Sequence, residues 1–139
     1  VIYRNVRPYF FYLPMKGFPL PITGEGTETR DCIYVGDIVI GLIHGNRGKA
    51  IGEAFNLGSV PVFFFNDTAT TENKLTNNKS SIIFKERRDW DVKTKLLSCV
   101  DKANRILGYK PQMKFDDGLK HVHNWFEENW ENIQKSAEF

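Results

Sequence analysis

Phe115, Leu119, Val122, Phe126, Trp130 and Ile133 recur at steps of three and four residues, the spacing that lines one face of an α-helix. One long amphipathic helix is therefore predicted at the end of the chain, with Asp116 or Asp117 in the first turn, where a carboxylate favours the helix dipole. Its apolar stripe needs a partner surface, which the preceding residues must supply as short elements. Val6 to Lys16 is aromatic-rich and closes on Gly17, a helix stop, with Pro14 kinking the last turn or ending the helix early. Pro19 to Ile22 reads as extended chain that proline keeps at a sheet edge. Thr23 to Thr27, with Gly24 and Gly26, reads as a tight turn.

Arg30 to Val35 has the alternation of a short strand. Gly36-Asp37 then forms a break and N-cap for a helix over Ile38 to His44, with Ile38, Val39, Leu42 and Ile43 as its buried stripe. Glu53 to Leu57 is a further predicted strand, and Val60 to Phe65 an apolar run. Asn66 to Asn78 is rich in Thr and Asn and a poor helix former. Ser81 to Phe84 is a strand, Lys85 to Lys95 a charged loop, and Asp101 to Leu107 a short helix stopped by Gly108 with Pro111 beyond. The pattern is α/β: short strands alternate with helices, without a large sheet.

Composition narrows the function classes. The chain has 139 residues, 41% hydrophobic and 26% charged, the make-up of a folded domain. Its net charge of +2 argues against a dedicated nucleic-acid binder, which carries a strong basic excess. The two cysteines, Cys32 and Cys99, are too few for a disulfide framework and are expected to be buried structural residues in a reducing, cytoplasmic setting. No apolar run approaches the roughly 18–20 residues that span a bilayer, so no membrane partner is expected. His44, His121 and His123 form no metal spacing, and no metal site is expected.

Two clusters stand above this background. Gly24-Glu25-Gly26-Thr27-Glu28-Thr29-Arg30-Asp31 runs a glycine turn into an arginine. Arginine beside exposed turn amides suits a phosphate held bidentately. The same residues also suit a surface turn with a local Arg30–Asp31 or Arg30–Glu28 ion pair. Arg87-Arg88-Asp89-Trp90-Asp91 combines cations, an aromatic face and carboxylates. That set fits an anionic ligand with a sugar hydroxyl, or a solvated charge run whose tryptophan covers the core edge.

Together these strings resemble a known family. PLPITGEGTETRDCIYVGDIVIGL (Pro19–Leu42), GEAFNLGS (Gly52–Ser59), RRDWD (Arg87–Asp91) and DKANRILGYKPQMKFDDGLKHVHNWFEEN (Asp101–Asn129) occur in the order found in the C-terminal part of NAD-dependent nucleotide-sugar epimerases and dehydratases. These are the extended short-chain dehydrogenase/reductases. The resemblance implies the substrate-binding lobe of a Rossmann-type enzyme. It implies that Arg30 and Arg88 contact a nucleotide diphosphate and that Asp91 binds a sugar hydroxyl. Arg87 and Asp89 remain possible substitutes. The backbone at Leu20-Pro21-Ile22 then lies where the family holds the nucleotide base. The implied partner is a nucleoside-diphosphate sugar, and the implied cofactor of the parent enzyme is NAD, not held tightly by this chain alone.

Departures from the family pattern matter too. Its glycine-rich cofactor loop and catalytic Tyr-x-x-x-Lys pair lie upstream of the matched region. Tyr12 and Lys16 have that spacing here but in the wrong place, and are read as coincidence. The chain starts with Val1 in mid-pattern. Residues 1–139 are thus expected to be a single C-terminal fragment that lacks its N-terminal NAD-binding Rossmann domain, carries no catalytic residue and has no turnover alone. Residues 60–78 are atypical: FFFNDTATTE has the look of translated sequencing-adapter read-through, or of a natural edge strand with a frayed helix. If exposed, Phe63, Phe64 and Phe65 are an aggregation hazard. The competing reading is a non-catalytic anion-binding or interaction module.

Overall fold

Helix α1 (Val6–Met15) is apolar on opposite sides, and it lies between two packed layers of a computed structural model that describes residues 6–46, 48, 50–59, 63–87, 89 and 94–136. Phe10 enters one core cluster, with Leu20, Ile22 and Ala69, while its neighbour Phe11 enters the other, with Leu119 and Phe126. The helix keeps Pro14 in its last turn and ends as predicted. Gly17, at φ +75°, follows it, and its N–H bonds the Pro14 carbonyl while the Phe18 N–H reaches back to Leu13. Those are the paired bonds of a Schellman stop, which uses the left-handed residue that glycine adopts without a Cβ clash.

The first layer is a two-stranded parallel sheet. Strand β1 (Leu20–Thr23) pairs with β4 (Ile82–Lys85), Leu20 opposite Ile82 and Thr23 opposite Lys85. Leu20 and Ile22 are 0% and 2% exposed and anchor the cluster against α1 and α3 (Phe65–Leu75). The other sheet has β2 (Thr29–Arg30) in the centre, antiparallel to β3 (Phe63–Phe64) on one side and parallel to β5 (Lys95–Leu96) on the other.

The predicted strand from Arg30 to Val35 stops at Arg30. The Asp31 carboxylate turns to Ser59 and Ser98, and the chain enters α2 (Val35–Gly45) four residues later. Tyr34, not Asp37, occupies the N-cap position of α2. Asp37 lies buried in the first turn and accepts the backbone N–H groups of Gln112 and Met113, so it ties α2 to the segment before the terminal helix.

The α2 stripe is also reversed from expectation. Asp37 and Gly41 face inward, whereas Val35 and Leu42 are 68% and 63% exposed and Val39 and Ile43 lie beside them. Periodicity located the apolar face but not what lies against it. Gly41 lies on the inward side, where a Cβ would have to displace the Leu57 side chain.

Residues 66–78, expected to resist helix formation, hold all but the first residue of α3. Its polar residues lose their usual competition with the backbone. Thr68 and Thr70 donate to the carbonyls of Phe64 and Asn66, four residues back, and Thr68, Ala69 and Glu72 bury one face. Packing overrides propensity here. The aromatic run before it is largely absorbed: the Phe63 ring stacks on Phe115 at 3.9 Å between centroids, and Phe65 packs edge-on against Phe10. Glu53 to Leu57 is not a strand. Lys102 Nζ donates to Glu53 Oε2 at 2.7 Å and to the Ala54 carbonyl at 2.9 Å, taking an acceptor that a neighbouring strand would need.

Helix α4 (Asp101–Leu107) stops at left-handed Gly108 as predicted. The long terminal helix is divided into α5 (Phe115–Glu128) and α6 (Trp130–Ser136) at Asn129, whose side-chain amide donates to the Trp125 carbonyl. Its apolar stripe, including Trp130 and Ile133, packs against the Phe11 side of α1. Cys99, expected to be buried, is exposed with its thiol 3.4 Å from Asp101 Oδ2, and Cys32 is half-buried. Among the described residues, no helix is long and apolar enough to cross a membrane.

Candidate functional site

Strand β2 carries Arg30, directly after the glycine turn that the sequence marked for anion binding. The glycine turn leads into it: Gly24 and Gly26 have φ of +82° and +75°. A Cβ on Gly24 would strike Glu28 Oε1, and one on Gly26 would press on Asn66 and Phe84 at 3.2 Å. Glycine is thus needed here for space as well as for conformation. The Arg30 guanidinium donates from Nη1 to the Thr29 carbonyl at 2.9 Å and lies 5.5 Å from the Phe65 ring centroid. The contact with the ring face is a cation–π arrangement that helps fix the arginine's direction.

The arginine-rich segment is fastened at both flanks to β2 and the residues that border it. On its entry side, Arg87 Nη2 is 3.5 Å from Glu28 Oε1. On its exit side, the Thr29 N–H bonds the Thr94 carbonyl and the Asp31 N–H bonds that of Leu96. Arg88 and Asp91, the other expected ligand contacts, lie outside the described residues. Leu20 and Ile22 have their side chains in the core, so only their main chain is available to a base, the form in which the resemblance implied the contact.

Sequence reasoning missed what the acidic neighbours of Arg30 do. Asp31 Oδ1 accepts the N–H and hydroxyl of Ser59, both at 2.8 Å, and Oδ2 accepts the Ser98 N–H at 3.2 Å. Burial works against ionising this carboxyl, but the serine hydrogen bonds outweigh it and hold the group below the usual carboxylate range. A lowered folded-state value contributes stability that is present above the unfolded carboxyl value and disappears as pH falls through the folded one. Asp31→Asn is therefore expected to lower stability at neutral pH and flatten the acid limb of a urea-midpoint versus pH profile, with the curves converging toward acid. Parallel curves would contradict this role. Nearby, the buried Tyr109 hydroxyl donates to the Gly58 carbonyl at 3.0 Å, closing the same junction. Burial and the charges of Asp37 and Asp31 raise its value.

A mainly apolar cleft of about 320 Å³ lies behind this junction, lined by Phe11, Cys32, Tyr34, Met113, Phe115 and Leu119 among others. His121 meets Tyr34 while His123 meets Phe11, so the two histidines serve separate contacts. Lys16 Nζ lies 5.9 and 5.6 Å from the ring centroids of Tyr12 and Trp130, an arrangement of packing at the end of α1.

No family model matches the chain. An epimerase from the methanogen Methanothermobacter thermautotrophicus superposes with a TM-score of 0.95 and 54% identity, over 99% of this chain and 41% of its own. The Bordetella bronchiseptica enzyme WbmF, solved in complex with NAD+ and UDP, gives 0.82 and 34% over 95% of this chain and 39% of its own. The UDP-glucuronate 4-epimerase of Thermodesulfobacterium geofontis is 32% identical over 119 residues, 84% of this chain and 36% of that protein. The chain belongs to the NAD-dependent sugar-nucleotide epimerase and dehydratase family. Its α/β fold is that of the C-terminal part of these Rossmann-type enzymes, and it spans about two fifths of the length of these three relatives.

Enzymes of this family are NAD-dependent, so the chain's own fit to NAD can be tested. A dinucleotide diphosphate is held at a helix N-terminus reached through a glycine loop. Each helix from α2 to α6 instead begins with a carboxylate in its first turn: Asp37, Asp67, Asp101, Asp116 with Asp117, and Glu131. These acids already complement the dipole and repel a diphosphate. From α2 to α6, therefore, no helix offers the uncharged N-terminus that a dinucleotide diphosphate uses.

Proposed function

We propose that this chain is the nucleotide-recognition lobe of a nucleoside-diphosphate-sugar epimerase or dehydratase. Arg30 and Arg88 neutralise the diphosphate, Asp91 accepts a hydrogen bond from a sugar hydroxyl, and the main chain at Leu20-Pro21-Ile22 meets the base. Two arginines from separate segments give charge neutralisation and orientation together. The observation that carries this reading is the strand β2 junction: β2, which bears Arg30, and the residues bordering it, Glu28 and Asp31, hold both flanks of the arginine-rich segment.

In the whole enzyme, NAD held by the other part would supply redox chemistry at the sugar, with epimerisation, dehydration or decarboxylation as the outcome. The acid/base groups and the NAD site belong to a separate Rossmann part, the partner of this lobe. The outward apolar face of α2 supports that division, because Val35, Val39, Leu42 and Ile43 form one stripe with nothing from the described residues over it. The family members matched are more than twice as long as the chain, and the NAD-binding part is the occupant this face fits.

Calorimetric titration of UDP and of uridine into the full chain tests the assignment. Charge-assisted contacts to a diphosphate are worth roughly 1.5–3 kcal/mol, so UDP is expected to bind about 10- to 100-fold more tightly than uridine. Equal affinities for the two would contradict it.

A further inference from the structure

Glu28 is 4% exposed, and its Oε2 has no hydrogen-bond partner among the described residues. Its Oε1 is 3.5 Å from Arg87 Nη2, with the Arg87 side chain about one third exposed. A buried carboxylate must be neutralised by a nearby cation, because an uncompensated charge at low dielectric is strongly unfavourable. Glu28 also stands two positions before Arg30, the spacing that brings side chains to a common face of a strand. Arg87 thus lies against the buried acid while Arg30 stands two positions along the chain from it, and which of the two neutralises Glu28 decides the charge that Arg30 offers to a ligand.

The glycine turn reinforces this arrangement. Gly24 leaves the space that Glu28 Oε1 occupies. The Gly24 N–H is itself spent on the Lys85 carbonyl at 2.9 Å, two residues before Arg87. Turn, acid and Arg87 are therefore built as one unit beneath the strand.

We infer that Glu28 and Arg87 are positioning residues of the anion site: Arg87 neutralises the buried Glu28 carboxylate, so that Arg30 is directed to the ligand's diphosphate and not to Glu28. This rests on the nucleotide reading above. Neither residue touches the ligand. With Arg87 removed, Glu28 turns to Arg30 and competes with the phosphate. With both charges removed, Arg30 returns to the ligand. A residue that served only to hold the fold together would not show that recovery.

The test is the UDP-to-uridine affinity ratio measured by calorimetry on the full chain for R87A, E28Q and the double variant, with R30A as control. Arg87→Ala is expected to lower the ratio about fivefold, Glu28→Gln alone to leave it within about twofold, and the double variant to recover to within about twofold of the parent. Thermal unfolding recorded alongside separates loss of fold from loss of affinity. Should Arg87→Ala destabilise the chain, the double variant, which leaves no buried charge unpaired, still reads the recovery. An unchanged ratio in R87A, or a double variant as weak as R87A, overturns the inference while R30A still loses UDP. If R30A also binds UDP normally, it is the nucleotide reading itself that fails.

Discussion

Phe11→Ala is expected to lower the stability of the chain by about 3–5 kcal/mol, the range for truncating a fully buried aromatic side chain. The total stability of a domain is about 5–15 kcal/mol, so the loss is a large share of it. Phe11 is 0% exposed. Its ring lies 5.5 Å from that of Phe126 and 6.3 Å from that of His123, and it shares its cluster with Leu119. The contacts around it come from α1, from Leu75 at the end of α3, and from α5 with α6, packed helices that cannot all collapse into the space left behind. Urea unfolding should show the midpoint falling with the slope retained. The exposed Phe18→Ala serves as comparison, with a change within about 0.5 kcal/mol. A Phe11→Ala midpoint no lower than that of Phe18→Ala would mean that α1 does not join the two layers.

Local chemistry made some of this fold legible and hid the rest for identifiable reasons. The ends of α1 and α4 were readable because a glycine with positive φ stands at each, at Gly17 and Gly108. Helix α3 was not readable, since its threonines favour other conformations until their hydroxyls are bonded four residues back and one face is buried. The stripe on α2 was visible as a period but pointed outward, because a period carries no information about which side meets a partner. The break in the terminal helix falls at a single residue, Asn129, whose side-chain amide bonds the Trp125 carbonyl, too small a signal against a strong apolar repeat.

The site divides in the same way. Arg30 and the turn glycines stand out in the sequence as a candidate anion site or a surface ion pair, and the resemblance to the family is what points to a diphosphate. Glu28 and Asp31 were read as ordinary charges beside an arginine. Only the fold reveals that one is a buried acid held by Arg87 and the other a junction joined to Ser59 and Ser98. Charge runs are read by default as solvated, and burial of a single member is a tertiary fact.

The central claim is that Arg30 holds a nucleoside diphosphate. Arg30→Ala removes a charged donor whose contacts with the diphosphate are worth roughly 1.5–3 kcal/mol, or about 10- to 100-fold in affinity. The loss should fall on UDP and spare uridine, since the proposed site sets the guanidinium against the diphosphate alone. Raising the salt concentration should weaken UDP binding by the parent more than by the variant, because the variant has less charge to screen. Arg30 is half-buried at the surface end of β2 and takes no part in either core cluster, so the fold should survive the change. The decisive measurement is the calorimetric dissociation constant for UDP in the parent chain and in Arg30→Ala, with unfolding curves confirming that both are folded. A ratio of tenfold or more is the predicted result; a folded Arg30→Ala chain that binds UDP as tightly as the parent would contradict it.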